Sequence, residues 1–331
     1  MNPVSEALCY PWQSRMWMRL WPPDRLGHAL LFAGPRGIGK RAFATFTAHA
    51  LLCASGSHDG PCQQCKSCHL TQTGTNPDLF IATPPETGKA IGIEQVRSLS
   101  EFMALKPHSC ARKVAFVADA DALSLNAANA LLKILEEPPP DCYLVLVADR
   151  PQALPSTLRS RCARFTLGPP AHREALAWLK GQARLDEHSA EAALRFSGGA
   201  PLRAQALLAQ GDFPGQINAF EEDLETLREE HADVVAVAAR WKKAGAGLAV
   251  EWLQRRISTL IYERMIGPQA TGKARTARLQ ERAQALDLKT LFRFSDVLSE
   301  AARLVGQPVD ELLLLEDLLV HWIQLGRQRT I

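Results

Sequence analysis

His28-Ala-Leu-Leu-Phe-Ala33 runs directly into Gly34-Pro-Arg-Gly37-Ile-Gly39-Lys40-Arg41, and Ala42 to Leu52 follows with small and apolar residues at helical spacing. The apolar run predicts a buried strand. Strand, glycine turn and helix form the arrangement in which backbone N–H groups and a helix N-terminus face an anion. Gly34, Gly37, Gly39 and Lys40 supply what a phosphate-binding loop requires. The loop ends differently, however. Its pattern calls for Ser or Thr after the lysine, because that hydroxyl ligates the magnesium of the bound nucleotide. Arg41 is a permanent cation with no acceptor atom. The loop is expected to cradle phosphate without holding the metal, which points to descent from ATPases without ATP hydrolysis of its own.

Further along, Lys113-Val-Ala-Phe-Val-Ala118-Asp119 reads as a strand ending in an acid, where a nucleotide-binding fold places its magnesium and water-positioning carboxylates. Ala127, Ala130, Leu131, Ile134 and Leu135 then repeat at i, i+3, i+4, i+7 and i+8, one buried helix face. Glu136-Glu137-Pro138-Pro139-Pro140 ends that helix, since the residue before proline leaves the helical region. Tyr143 to Ala148 is another continuous apolar run. Apolar strands alternating with helices predict an α/β domain with a mainly parallel sheet covered on both faces.

The chain has 331 residues, 47% hydrophobic and 22% charged, with a net charge of +3. Two or three domains are expected at this length. A charge this small does not by itself imply a strong nucleic-acid field. Met1 to Arg15 carries no signal-peptide pattern, and Leu312 to Leu315 is too short an apolar run to span a bilayer. A reducing, cytoplasmic compartment is the expectation, in which clustered cysteines serve as metal ligands more often than as disulfides.

Of eight cysteines, Cys62, Cys65 and Cys68 lie at two-residue gaps, and Cys53 precedes them by nine positions. Two Cys-x-x-Cys steps sharing a central sulfur can wrap one tetrahedral zinc, with Cys53 as fourth ligand. His69 is a substitute for one thiol. An iron–sulfur cluster is the competing chemistry, and free thiols are the third reading. Four thiolates leave no open coordination position, so one structural zinc per chain is expected rather than a catalytic one. Cys9, Cys110, Cys142 and Cys162 are dispersed and read as small buried hydrophobes.

Asn129-Ala-Leu-Leu-Lys-Ile-Leu-Glu-Glu-Pro138-Pro139, followed by Leu154-Pro155 and Ser160-Arg161-Cys162, resembles the clamp-loader branch of the AAA+ proteins. Cysteines inserted after the phosphate loop narrow the resemblance to the bacterial DNA polymerase III clamp-loader subunits. The degenerate loop points within them to a subunit that does not hydrolyse ATP, rather than to its hydrolysing paralogue. In active relatives the strand ending here at Val117 is followed by Asp then Glu, positions held by Ala118 and Asp119. The resemblance therefore implies no Mg²⁺ site and no turnover, while Lys40 leaves ATP or phosphate binding open. Arg161 matches the arginine finger that such proteins donate in trans to a neighbouring ATPase. Ser197-Gly-Gly-Ala-Pro-Leu-Arg203 resembles the lid segment carrying a nucleotide-sensing arginine, with capping or pairing inside the lid as the other reading. Tyr10-Pro11-Trp12 resembles the segment that packs near the adenine pocket, or is simply an aromatic staple on the first helix.

The resemblance implies three domains: a P-loop-like AAA+ domain over 1–167 with the four-cysteine module at 53–68, a helical lid over 168–210, and an all-helical C-terminal collar over 211–331. Gly168-Pro169-Pro170 marks the first boundary, Ala171 to about Leu208 has room for three short helices, and Gly211 to Gly215 reads as a linker. Pro308 to Leu325 carries apolar residues on several faces, so it is buried in its own bundle or shared with neighbouring subunits. The implied partners are the ATP-hydrolysing and clamp-opening subunits of a hetero-pentamer, the sliding clamp and primer–template DNA, at the replisome and nucleoid and without a membrane. An independent P-loop ATPase acting on nucleic acid is the alternative; Arg41 and Ala118 argue against it. A stand-alone zinc-ribbon module fails on scale. No stretch resembles a polymerase active site, so a label of DNA-directed DNA polymerase, a nucleotidyltransferase, would attach only through membership of the holoenzyme.

Overall fold

Five strands form one parallel sheet: β1 (Ala29–Ala33), β2 (Leu79–Ala82), β3 (Lys113–Val117), β4 (Cys142–Ala148) and β5 (Ala163–Thr166), in the order β2-β3-β4-β1-β5. The computed structural model describes residues 9–22, 26–57, 59–86, 88–182, 186–227, 233–266 and 287–327. They divide into two units, residues 1–206 and 207–331.

In the first unit, side chains alternate across the sheet, as the two-residue period of a strand requires. Leu31, Ala115, Val117, Leu144 and Leu146 pack on one face with α4 (Ile93–Ala104) and α5 (Leu125–Glu136). Leu30, Phe32, Val114, Phe116, Val145 and Val147 pack on the other with α1 (Ser14–Leu20) and α2 (Lys40–Leu52). Burial on both faces is why β1 and β4, and β3 after Lys113, are apolar rather than alternating. β1 lies between β4 and β5, with Ala33 beside Ala148. The glycine loop after β1 and the first residue after β4 therefore leave the sheet at the same C-terminal end of its strands.

Elements not expected from the sequence include β2, α4 and β5, as well as the helix Lys66–Gln72 inside the cysteine module. β2 is apolar but only four residues long, β5 carries Arg164 and Thr166, and α4 is amphipathic. Between α4 and β3 the chain is held by Asp78, fully buried, whose carboxylate accepts N–H bonds from His108 and Ser109 at 2.6 Å and Cys110 at 2.8 Å. Beside it, Asn76 Nδ2 donates to Thr71 Oγ1 at 2.8 Å in helix α3 (Lys66–Gln72). A buried carboxylate with this many donors is satisfied as an anion.

After β4 come the short α6 (Ser156–Arg159) and, after β5, α7 (His172–Gln182), α8 (Glu187–Phe196) and α9 (Pro201–Leu208). The last three are the short helices expected after Gly168-Pro169-Pro170.

Described residues of the second unit are helical, with no strand among them. They form α10 (Phe213–Thr226), α11 (Val234–Ile266), which is bent at Gly245, α12 (Leu288–Leu304) and α13 (Glu311–Arg327). Gly211 to Gly215 is not a linker throughout. Asp212 accepts the N–H of Gly215 as an N-cap, and Pro214 sits in the first turn of α10, where a missing N–H is harmless. Phe220, Trp241 and Trp252 make the aromatic centre of the bundle, with ring centroids 4.9–5.8 Å apart. In α13, Leu315, Leu318, Leu319, Trp322 and Leu325 are buried while Leu313 and Val320 are exposed, so this helix has a core face and an open apolar face.

Candidate functional site: a self-paired phosphate loop and four converging thiols

The loop from Gly34 to Gly39 joins β1 to the first turn of α2, as the glycine spacing predicts. Gly37 and Gly39 adopt φ of 83° and 86°, which disfavours any residue with a Cβ. Space excludes one as well. A Cβ on Gly37 would lie 2.5 Å from the Cβ of Arg203, and one on Gly39 would lie 2.6 Å from the Tyr10 ring. Leu202 N–H donates to Gly37 O at 3.0 Å. The start of α9 and the N-terminal aromatic segment thus both press on the loop.

Lys40 is buried, with 3% of its side chain exposed. Its Nζ donates to Pro35 O at 2.8 Å and to Asp149 Oδ1 at 2.6 Å. Asp149 follows β4, and Asp121 Oδ2 accepts the backbone N–H groups of both Asp149 and Arg150, which fixes that turn. Arg41 Nη2 lies 3.3 Å from Asp119 Oδ2, with both side chains about half exposed. Ala118 is buried beyond the end of β3 and offers no side-chain oxygen. Lys40 and Arg41 therefore each already face a carboxylate of the same chain, while Arg36 of the loop is exposed.

The aromatic segment at Tyr10 packs on the loop rather than only on its own helix. Trp12 Nε1 and Gln13 Nε2 donate to Ile38 O at 3.0 and 3.1 Å. Tyr10 and Trp12 stack at 4.8 Å, and both meet Trp178 of α7 edge-on, at 5.7 and 5.4 Å. This aromatic triad joins the lid helices to the base of the loop.

At the end of α2 the four expected thiols converge. The Sγ atoms of Cys53, Cys62, Cys65 and Cys68 all lie within 4.8 Å of one another. Cys53–Cys65 and Cys62–Cys68 are both 3.9 Å apart. Sulfurs at about 2.3 Å from a tetrahedral ion are about 3.8 Å apart, so the set fits one. Cys53 ends α2, and Cys65 caps α3, its Sγ accepting the N–H of Cys68 at 3.4 Å. Backbone N–H groups of Gln64 and Cys65 bring the Cys62 thiol down to about 6, while burial pushes that of Cys68 up. A bound divalent ion would deprotonate all four. His69 is exposed and outside the group. Among the dispersed cysteines, burial likewise raises Cys9 and Cys162, to about 11.

Arg161 lies just beyond α6 and is exposed, with Nη2 2.7 Å from Glu136 Oε1 and Nη1 donating to Thr157 O at 3.0 Å. Arg159, two positions earlier, is half-buried, and its Nε is enclosed. The sequence reading missed Asp149, Asp121, Glu136 and Trp178. A charged residue directly after the apolar β4 run was the signal for Asp149.

Residues 11–171 match the family described as DNA polymerase III, delta subunit, and residues 170–209 match the DNA polymerase III subunit delta', AAA+ ATPase lid domain. The DNA polymerase III subunit delta' of Pseudomonas aeruginosa is 34% identical over 96% of this chain and 98% of its own length. The chain belongs to the DNA polymerase III subunit delta' family. The Escherichia coli delta' subunit is 36% identical over 61% of each chain. The tau subunit of Bacillus subtilis is 35% identical, over 43% of this chain and 24% of that one. The lid match covers α7, α8 and α9 in full. Among the described residues of this delta' family member, no helix is long and apolar enough to cross a membrane.

Proposed function

We propose that this chain is a non-hydrolysing subunit of the DNA polymerase III clamp loader. It would stand in a hetero-pentamer with the ATP-hydrolysing and clamp-opening subunits and help place the sliding clamp on primer–template DNA. The observation that carries the non-hydrolysing reading is the internal pairing of Lys40 with Asp149 and of Arg41 with Asp119. Where an active loop would meet phosphate and magnesium, this one meets its own carboxylates. Ala118 supplies no ligand for a metal.

Its chemical contribution is Arg161, donated across an interface to a nucleotide held by a neighbour. A guanidinium gives planar, bidentate stabilisation to charge developing on a transferred phosphoryl group. The exposure of Arg161 supports this role, and the enclosed Nε of Arg159 argues against that neighbour. Arg203, against Gly37, acts as a packing residue of the lid rather than as a nucleotide sensor. The four thiols hold one structural zinc.

The test is ATP turnover and clamp loading by the reconstituted complex carrying Arg161→Ala. Fingers of this type change turnover by about 10³ to 10⁵ in other nucleotide hydrolases. The bulk effect here is smaller, because other sites keep their own fingers. DNA- and clamp-stimulated turnover should fall with assembly intact, and Arg159→Ala should register mainly as lost stability. Wild-type turnover and loading with Arg161→Ala would overturn the finger assignment.

A further inference from the structure

The guanidinium of Arg161 is held by two elements of its own chain. Glu136, the last residue of α5, accepts from Nη2 at 2.7 Å, and the carbonyl of Thr157 in α6 accepts from Nη1 at 3.0 Å. α5 and α6 pack against each other, so the two acceptors are fixed relative to one another. Two contacts define the plane of the group, and they engage two of its five donors. The side chain is still 37% exposed.

The stability of α5 does not explain Glu136. A carboxylate in the last turn sits at the negative end of the helix dipole, where a cation is favoured instead. Pro138 to Pro140 end the helix immediately afterwards and fix where this carboxylate stands. A cation placed against it offsets the penalty, and that cation is Arg161.

We propose that Glu136 is the positioning residue of the arginine finger. It holds one edge of the guanidinium while the side chain stays partly exposed, so the group needs little reorganisation when a neighbour's phosphate arrives. This rests on the finger reading of Arg161.

The test uses the reconstituted complex with wild-type chain, Arg161→Ala, Glu136→Ala, Glu136→Gln and the double variant Arg161→Ala/Glu136→Ala. Steady-state kcat and KM for ATP are measured with DNA and clamp, beside the mass of each complex. Glu136→Ala should lower kcat about two- to fivefold, the scale of one exposed ion pair, with KM unchanged. Glu136→Gln keeps an acceptor oxygen and should regain most of that loss. The double variant should equal Arg161→Ala alone, because Glu136 acts only through Arg161. If Arg161→Ala is impaired while Glu136→Ala matches or exceeds wild type, the positioning role is wrong and the finger stands. A Glu136→Ala loss that persists without Arg161, or that comes with a smaller complex, marks a structural role and also overturns it. If Arg161→Ala itself has no effect, the finger reading falls and this inference with it.

Discussion

Replacing Asp149 with Ala would leave Lys40 buried with one carbonyl partner. Breaking such a pair strands an ammonium in the interior, and the penalty is reduced here because Asp149 is 41% exposed. Denaturant unfolding should show Asp149→Ala less stable by about 1–2 kcal/mol, with a smaller loss for Asp149→Asn, which keeps an acceptor. Equal stability of Asp149→Ala and wild type would mean the pair does not organise the loop. At this scale the sequence was legible in part. Gly37, Gly39, Lys40 and Arg41 announced the strand–loop–helix turn that the structure shows, because that motif is local. Asp149 was not legible, since its partner lies 109 positions away. Only the adjacency of β1 and β4 brings the two together.

Among the elements, the turn before β3 and the four-thiol module are the parts whose order depends on charge. Burial raises the Asp78 carboxyl, and the three N–H bonds from His108, Ser109 and Cys110 outweigh that and hold it below the usual value. A group whose folded pKa is depressed stabilises the protein above its unfolded value, about 3.9, and loses that contribution as pH falls through the folded value. Asp78→Asn should therefore destabilise the protein at neutral pH by about 1–3 kcal/mol, the scale of a lost charged hydrogen-bond set. The gap to wild type should narrow below about pH 4. Unfolding curves at pH 7 and pH 3 measure both, and a pH-independent gap would contradict the linkage. For the thiols, elemental analysis should find one zinc per chain. Cys65→Ser or prolonged chelation should loosen Cys53 to Cys68 to proteolysis while the helical unit from residue 207 stays folded. Iron, or no metal after reconstitution, would refute the zinc reading. The cysteine spacing was legible because a chelate needs short, fixed gaps. β2 and β5 were not, because half-buried strands of four residues carry too little periodicity to register.

The whole molecule presents one contrast: a P-loop-like sheet and lid in which Lys40 and Arg41, the two cations at the end of the loop, are met by carboxylates of the same chain. The division into a sheet-bearing part and a helical remainder was readable from the change in apolar pattern near Gly168-Pro169-Pro170. The helix start at Phe213 was misread as linker, because Gly, Asp and Pro serve turns and helix N-caps equally well. How the aromatic triad of Tyr10, Trp12 and Trp178 closes on the loop was beyond the sequence, as its members come from the N-terminal segment and from α7. The most direct test is magnesium-dependent ATP turnover by the purified chain alone, with Lys40→Ala alongside. No release of phosphate above background is expected for either protein, and none regained by Arg41→Thr, since Ala118 would still leave the metal unheld. Robust turnover by the wild-type chain that Lys40→Ala abolishes would contradict the non-hydrolysing reading.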